Sequence, residues 1–118
     1  MNREIKFRAW NEVSEKMLNW NEFLNTNMKN IFLLPRKSTG LILMQYTGLH
    51  DKNGKEIYEN DIVYIAGEDE NAIIEWDEET ARFIIHYDGW IADFDNYYGY
   101  ELEVIGNVYD NKNLLGEE

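Results

Sequence analysis

The sequence predicts a mainly β fold, a small barrel or curled antiparallel sheet with an N-terminal hairpin as an extension. Three observations predict it. Several short segments alternate apolar and polar residues with period two, most cleanly residues 4–10 and 82–87. About seven such segments are separated by turn signals, with little that reads as helix. The stretch 44–65, MQYTGLHDKNGKEIYENDIVYI, packs strand and turn signals together without slack.

Taken in order, residues 4–10 place Ile5, Phe7 and Ala9 on one side and Glu4, Lys6 and Arg8 on the other, the pattern of a half-buried strand. A polar run over 11–16 gives a turn, and 17–20 returns antiparallel, with Trp10 and Trp20 marking the strand ends. Over 21–38 neither period holds, and the segment reads as irregular with room for one short helix. Pro35, the single proline, opens a connection through Gly40 to an apolar strand over 41–47. Gly48 suits a bulge or turn, and Asn53-Gly54 is the strongest hairpin signal because both residues tolerate positive φ. Glu59, Asn60 and Asp61 form a second corner with Asn60 left-handed, and 62–65 leaves it as a β-branched strand.

Beyond residue 66, a polar loop over 67–71 precedes strands over 72–76 and 82–87, with Phe83, Ile85 and Tyr87 sharing a face. Residues 88–100 mix aromatic and acidic side chains and fit no simple element. The closing strand, 102–109, puts Leu102, Val104 and Val108 on one side and is interrupted at Gly106, where a bulge or a close backbone approach is expected.

A chain of 118 residues forms one domain and can bury roughly two-thirds of its unfolded surface. With no cysteine, it offers no disulfide, thiolate nucleophile or cysteine metal site, the pattern of a reducing cytoplasm. The N-terminal MNREIKFRAW lacks the apolar run of a signal peptide, and no segment reaches the ~18 apolar residues of a membrane span. The chain is therefore expected to be soluble, cytoplasmic and without a membrane partner. Its net charge of −12 is unevenly placed: residues 1–65 carry 9 Lys+Arg against 8 Asp+Glu, and 66–118 carry 2 against 15. Such a field repels phosphate backbones, so nucleic acid is an unfavoured partner.

Three pieces of the chain together, REIKFRAW, MQYTGLHDKNGKEIYENDIV and EVIGNVYDN, resemble the YopX family of phage and prophage proteins, whose biochemical function is not established. The resemblance runs from Arg3 to Leu115, except over 21–39, where the family varies in length. It implies a mainly β fold containing a barrel like the Src-homology-3 type, a phage or prophage origin and a bacterial host cytoplasm, and it supplies no catalytic residues. On this reading residues 1–40 are the hairpin and variable segment, and 41–118 the barrel core. Where the family typically has Gly-Asp-Ile-Val, this chain has Asn60-Asp61-Ile62-Val63, which gives position 60 a backbone role, since asparagine readily adopts the left-handed region.

Signals for chemistry are thin. His50-Asp51 is the one histidine–acid neighbour pair, and adjacent residues seldom face each other; His86 alternates with core positions. Aligning Gly54 with the sixth position of an EF-hand loop puts Leu49 where an aspartate is required. Asp93, Asp95 and Asn96 offer loop oxygens only for weak adventitious binding. There is no phosphate-binding glycine loop and no Gly-x-Ser-x-Gly elbow. The expectation is a non-enzymatic interaction or assembly module without cofactor or metal, a homo-oligomer that also binds a host or phage protein. Gly48, Asn53, Gly54, Asn60, Asp61 and Gly106 are assigned to turning the backbone. Trp90, Tyr97, Tyr98 and Tyr100 are the candidate interaction surface, because tyrosine and tryptophan dominate binding hot spots. The alternatives are an acidic decoy for a DNA-binding protein, which needs its carboxylates on one face, and a nucleic-acid-binding barrel.

Overall fold

The computed structural model describes residues 4–25, 40–87, 89–111 and 114. The chain divides into two units, Met1–Tyr46 and Thr47–Glu118, and the division falls inside a strand. That strand, β3, spans Leu41–His50; its first residues pair with β1 and it also neighbours β4.

In the first unit, β1 (Phe7–Asn11) is central, antiparallel to β2 (Lys16–Leu18) through Trp10↔Met17 and to β3 through Ala9↔Leu43. The side chain of Asn11 holds the connecting turn, accepting from the backbone N–H of Val13 at 2.9 Å and of Ser14 at 3.1 Å. The return strand ends before Trp20. Trp20 instead opens α1 (Trp20–Leu24), because Asn19 and Glu22 form a capping box: the Asn19 side chain accepts from the Glu22 N–H at 2.8 Å, and the Glu22 carboxylate accepts from the Asn19 N–H at 3.0 Å. So short a helix is held by packing more than by propensity. It buries Phe23 with Ala9 and Leu41, and Trp20 stacks on Phe23 with ring centroids 6.0 Å apart. Trp10 is buried, a packing role. Of the segment read as irregular, 26–38 lies outside the described residues, as does Thr39 of the connection that follows Pro35.

The second unit contains β4 (Glu56–Tyr58), β5 (Asp61–Ile65), β6 (Glu70–Asp77), β7 (Arg82–Tyr87), β8 (Trp90–Asp93) and β9 (Leu102–Asn107). Five of these form a curled antiparallel half-barrel sheet in the order β8-β7-β6-β5-β9. The registers Ile74↔Ile85, Ile85↔Ala92 and Ile65↔Leu102 bring the inward positions together. Ile57, Val63, Ile65, Ala72, Ile74, Phe83, Ile85, Phe94 and Leu102 make the core. Each fully buried isoleucine contributes about 1.5–3 kcal/mol relative to exposure. The expected face of Phe83, Ile85 and Tyr87 points inward, with Tyr87 packed against this core.

The bulge expected near Gly106 is present: Ile62 pairs with Gly106 but Val63 with Val104, leaving Ile105 as the extra residue. A Cβ on Gly106 would also press on the Asn111 side chain, 2.5 Å from its Oδ1. Because the bulge shifts the alternation, Leu102 and Val104 face the core as expected, whereas Val108 falls in the turn beyond the strand. The polar loop between β5 and β6 is confined to residues 66–69, and Glu70 and Asn71 already belong to β6.

Candidate functional site

The central stretch is built around two buried carboxylates. Asp51, 5% exposed, accepts from the backbone N–H groups of Asn53 at 2.8 Å and Lys55 at 2.9 Å through Oδ1, and from Val104 at 2.8 Å through Oδ2. The Asp51 backbone closes the same loop: its carbonyl accepts from Gly54 N–H at 3.0 Å, and its N–H donates to Lys55 O at 2.7 Å. Gly54 sits at φ +82°, while Asn53 does not take positive φ. The hairpin is therefore a three-residue loop with one left-handed residue, not the two-residue turn that Asn53-Gly54 suggests, because the Asp51 side chain supplies the acceptor that organises it. Burial acts on the Asp51 carboxyl to raise its pKa, but the N–H groups of Val104, Lys55 and Asn53 and the Lys55 charge outweigh it and hold it below the usual carboxylate range.

Asp61, 2% exposed, accepts from the Tyr58 N–H at 2.8 Å and closes the second corner. Asn60 there has φ +69°, as expected; its N–H donates to Ile74 O at 2.6 Å and its carbonyl accepts from Val108 N–H at 3.0 Å. Gly48 has φ +92° within β3. The turn residues thus place β3, β4 and β5. They form no reactive constellation.

The Asp51 loop also determines the fate of one sheet edge. β9 is the last strand on its side, and two of its outward groups are taken: Val104 N–H by the Asp51 carboxylate, and Leu102 O by the Lys52 N–H at 3.0 Å. At the opposite end, β8 hydrogen-bonds to β7 and has no further strand beside it among the described residues.

The candidate surface starts at β8 and is only partly exposed. Trp90, Tyr98 and Tyr100 are 69%, 67% and 71% exposed, and Tyr98 and Tyr100 stack nearly parallel at 5.3 Å. Ile91, which aromatic content alone would not single out, is 65% exposed. Tyr97 differs: it packs against the core, and burial, then a hydrogen bond with Tyr87 and the charges of Tyr87, Glu68 and Glu101, push its pKa up to about 12. Phe94 turns inward within a 3-10 turn (Phe94–Asn96), and a second such turn (Gly99–Glu101) is held by the Glu101 carboxylate accepting from the Tyr98 N–H at 2.8 Å. At Gly99 a Cβ would collide with the His50 carbonyl oxygen, so the segment needs glycine for that approach.

Other groups considered for chemistry are occupied structurally. Asp93 receives Arg82 at 2.6 Å on Oδ2 and the Asp95 N–H at 3.1 Å on Oδ1. His86 Nδ1 lies 3.3 Å from Glu75 Oε1 on the sheet face. No cluster of three or more His, Cys, Asp or Glu able to hold a metal stands among the described residues. The acidic side chains are spread: Glu68, Asp69 and Glu70 stand at one end of β6 and Asp77, Glu78 and Glu79 at the other, about 25 Å apart at a strand's rise per residue.

A family model described as YopX protein matches residues 6–116. The chain belongs to the YopX family. Among solved structures, this YopX protein is similar to the crystal structure of protein EF1440 from Enterococcus faecalis, at 24% identity, with a TM-score of 0.67, covering 97% of this chain and 99% of that one. The likeness establishes a shared fold. None of the curated proteins matches this YopX chain significantly. No helix of the described residues is long and apolar enough to cross a membrane.

Proposed function

We propose that this protein is a non-enzymatic protein-interaction module, encoded by a phage or prophage and acting on a host or phage protein in the bacterial cytoplasm. The observation that carries the reading is the gathering of large exposed side chains, Trp90, Ile91, Tyr98 and Tyr100, on one short segment of the acidic unit. Large aromatic and aliphatic groups exposed together are a common mark of an interaction surface, and tyrosine and tryptophan are the side chains that most often anchor a partner. The buried carboxylates, which could otherwise suggest acid–base work, are committed to backbone N–H groups.

The spread of acidic residues to both ends of β6 speaks against a decoy presenting one charged face. The same charge disfavours nucleic acid. Self-association and capture of another protein are the two ways such a module works. A tagged pull-down from the phage-infected host, with the oligomeric state measured on the same sample, tests the reading. A specifically retained protein or a defined oligomer is expected; a monodisperse monomer retrieving nothing specific contradicts it.

A further inference from the structure

We propose that β8 is a docking edge and that its occupant is an extended, lysine- or arginine-rich segment of another protein, which adds as a further strand beside Trp90–Asp93. The inference rests on the interaction reading above and deepens it by naming the place and the chemistry.

The two sheet ends are treated differently. The β9 edge is closed from within the same unit by Asp51 and Lys52. The β8 edge has no such cover among the described residues. Exposed edges are commonly guarded by lysine, proline or a bulge, since unpaired N–H and C=O groups template strand addition. β8 is only four residues long and its one charge, Asp93, is paired with Arg82, but the sequence Trp-Ile-Ala-Asp has neither lysine nor proline, and its pairing with β7 runs without a register shift from Tyr87↔Trp90 to Ile84↔Asp93. Its alternate side chains supply one apolar contact on each sheet face, Trp90 on one and Ile91 on the other, both largely exposed.

Charge selects the occupant. The unit 47–118 carries 4 Lys+Arg against 19 Asp+Glu, a net −15. Two copies meeting edge to edge would bring two such units together, whereas a cationic chain is drawn to the field and steered onto the edge. Trp90 gives an arriving lysine or arginine an aromatic face, and Asp93 a carboxylate, although one already shared with Arg82. The carboxylates around the unit attract at long range; the edge and its two exposed side chains make the contact.

The test uses the full chain and a peptide of about ten residues alternating lysine and threonine, with a glutamate–threonine peptide as control, titrated calorimetrically at about 50 mM and 300 mM salt. Binding of the basic peptide alone is expected, weakened about tenfold or more at the higher salt. Ile91→Lys, which places a guard on an exposed side chain and should leave the melting temperature unchanged, is expected to weaken it by at least about tenfold. Failure of the basic peptide to bind at low salt, or equal binding by Ile91→Lys, overturns the proposal. So does a dimer in sedimentation that Ile91→Lys dissolves, because the edge would then hold a second copy. A pull-down with both forms separates the two readings. A specific partner retained equally by Ile91→Lys overturns the docking edge and leaves the interaction module standing, whereas no specific partner for either form, with both monodisperse monomers, removes both.

Discussion

Replacing Asp51 by alanine removes an acceptor shared by three backbone N–H groups in two parts of the fold. Asn53 and Lys55 lie in an exposed turn where water can replace the carboxylate, so their loss costs about 0.5–1 kcal/mol together. Val104 is different, because its N–H meets the carboxylate on the covered β9 edge, and leaving a donor there without an acceptor costs about 1–3 kcal/mol. The total is about 3 kcal/mol. For a unit of this size it corresponds to a fall of roughly 12–24 °C in melting temperature. Asp51→Asn is the sharper variant: one of its two ends must present an amide donor to an N–H donor, so it should recover little of the loss despite its matching shape. Circular dichroism melts at neutral pH measure both, and a fall of less than about 3 °C for Asp51→Ala would refute the argument. The pH dependence gives a second check. The folded carboxyl is held below its ordinary 3.8, so its contribution is complete well above that value and is lost as pH falls through the folded pKa. Wild type should therefore lose more stability than Asp51→Ala between neutral pH and about pH 2; parallel profiles would contradict the assignment.

Three further outcomes follow from other positions. Asn60→Gly should be neutral or slightly stabilising, since the side chain makes only a 3.5 Å contact with the Tyr109 hydroxyl, while Asn60→Val should cost about 1–2 kcal/mol at φ +69°; equal melting temperatures would refute it. Gly99→Ala must displace the His50 carbonyl, which is backbone, and should cost about 2–4 kcal/mol in denaturant unfolding; a wild-type midpoint would show that the approach is not required. Tyr97→Phe should remove a component near pH 12 from the absorbance titration of the tyrosines. Because the folded pKa is raised above the ordinary 10.0, wild type should lose the Tyr97 contribution as pH climbs from about 10 to 12, and an unchanged titration would contradict its burial.

Much of the strand order was legible because period-two alternation survives wherever one face of a strand is buried. Residues 82–87 were read with their bounds and their inward face intact, and Asn60 was placed from its tolerance of positive φ alone. Trp20 lies in a helix and not at a strand end: an apolar residue after a return strand looks like more strand, although Asn19 and Glu22 carry the cap signal. The hairpin at Asn53-Gly54 was found but its type was not, since the deciding group is the Asp51 side chain, whose contact with Val104 spans 53 residues of sequence. Composition could identify Trp90, Tyr97, Tyr98 and Tyr100 as aromatic, but not which one turns inward. Tyr97 does so because Phe94 and the two 3-10 turns fix its direction, and local periodicity cannot report that. The contrast between the β9 edge, covered by the Asp51 loop, and the β8 edge, with no strand beside it among the described residues, is a property of tertiary contacts and has no one-dimensional signature.

On the proposed reading, residues 44–65 shape the protein while binding belongs to the segment beginning at Trp90. Amide chemical-shift mapping tests it most directly, with the labelled chain titrated with whichever partner the pull-down retains. Shifts are expected to concentrate at Trp90, Ile91, Ala92 and Asp93 and their β7 neighbours, with the Asp51 loop and the Asn60 corner unchanged. Shifts centred on Asp51 to Asp61, with β8 silent, would contradict it.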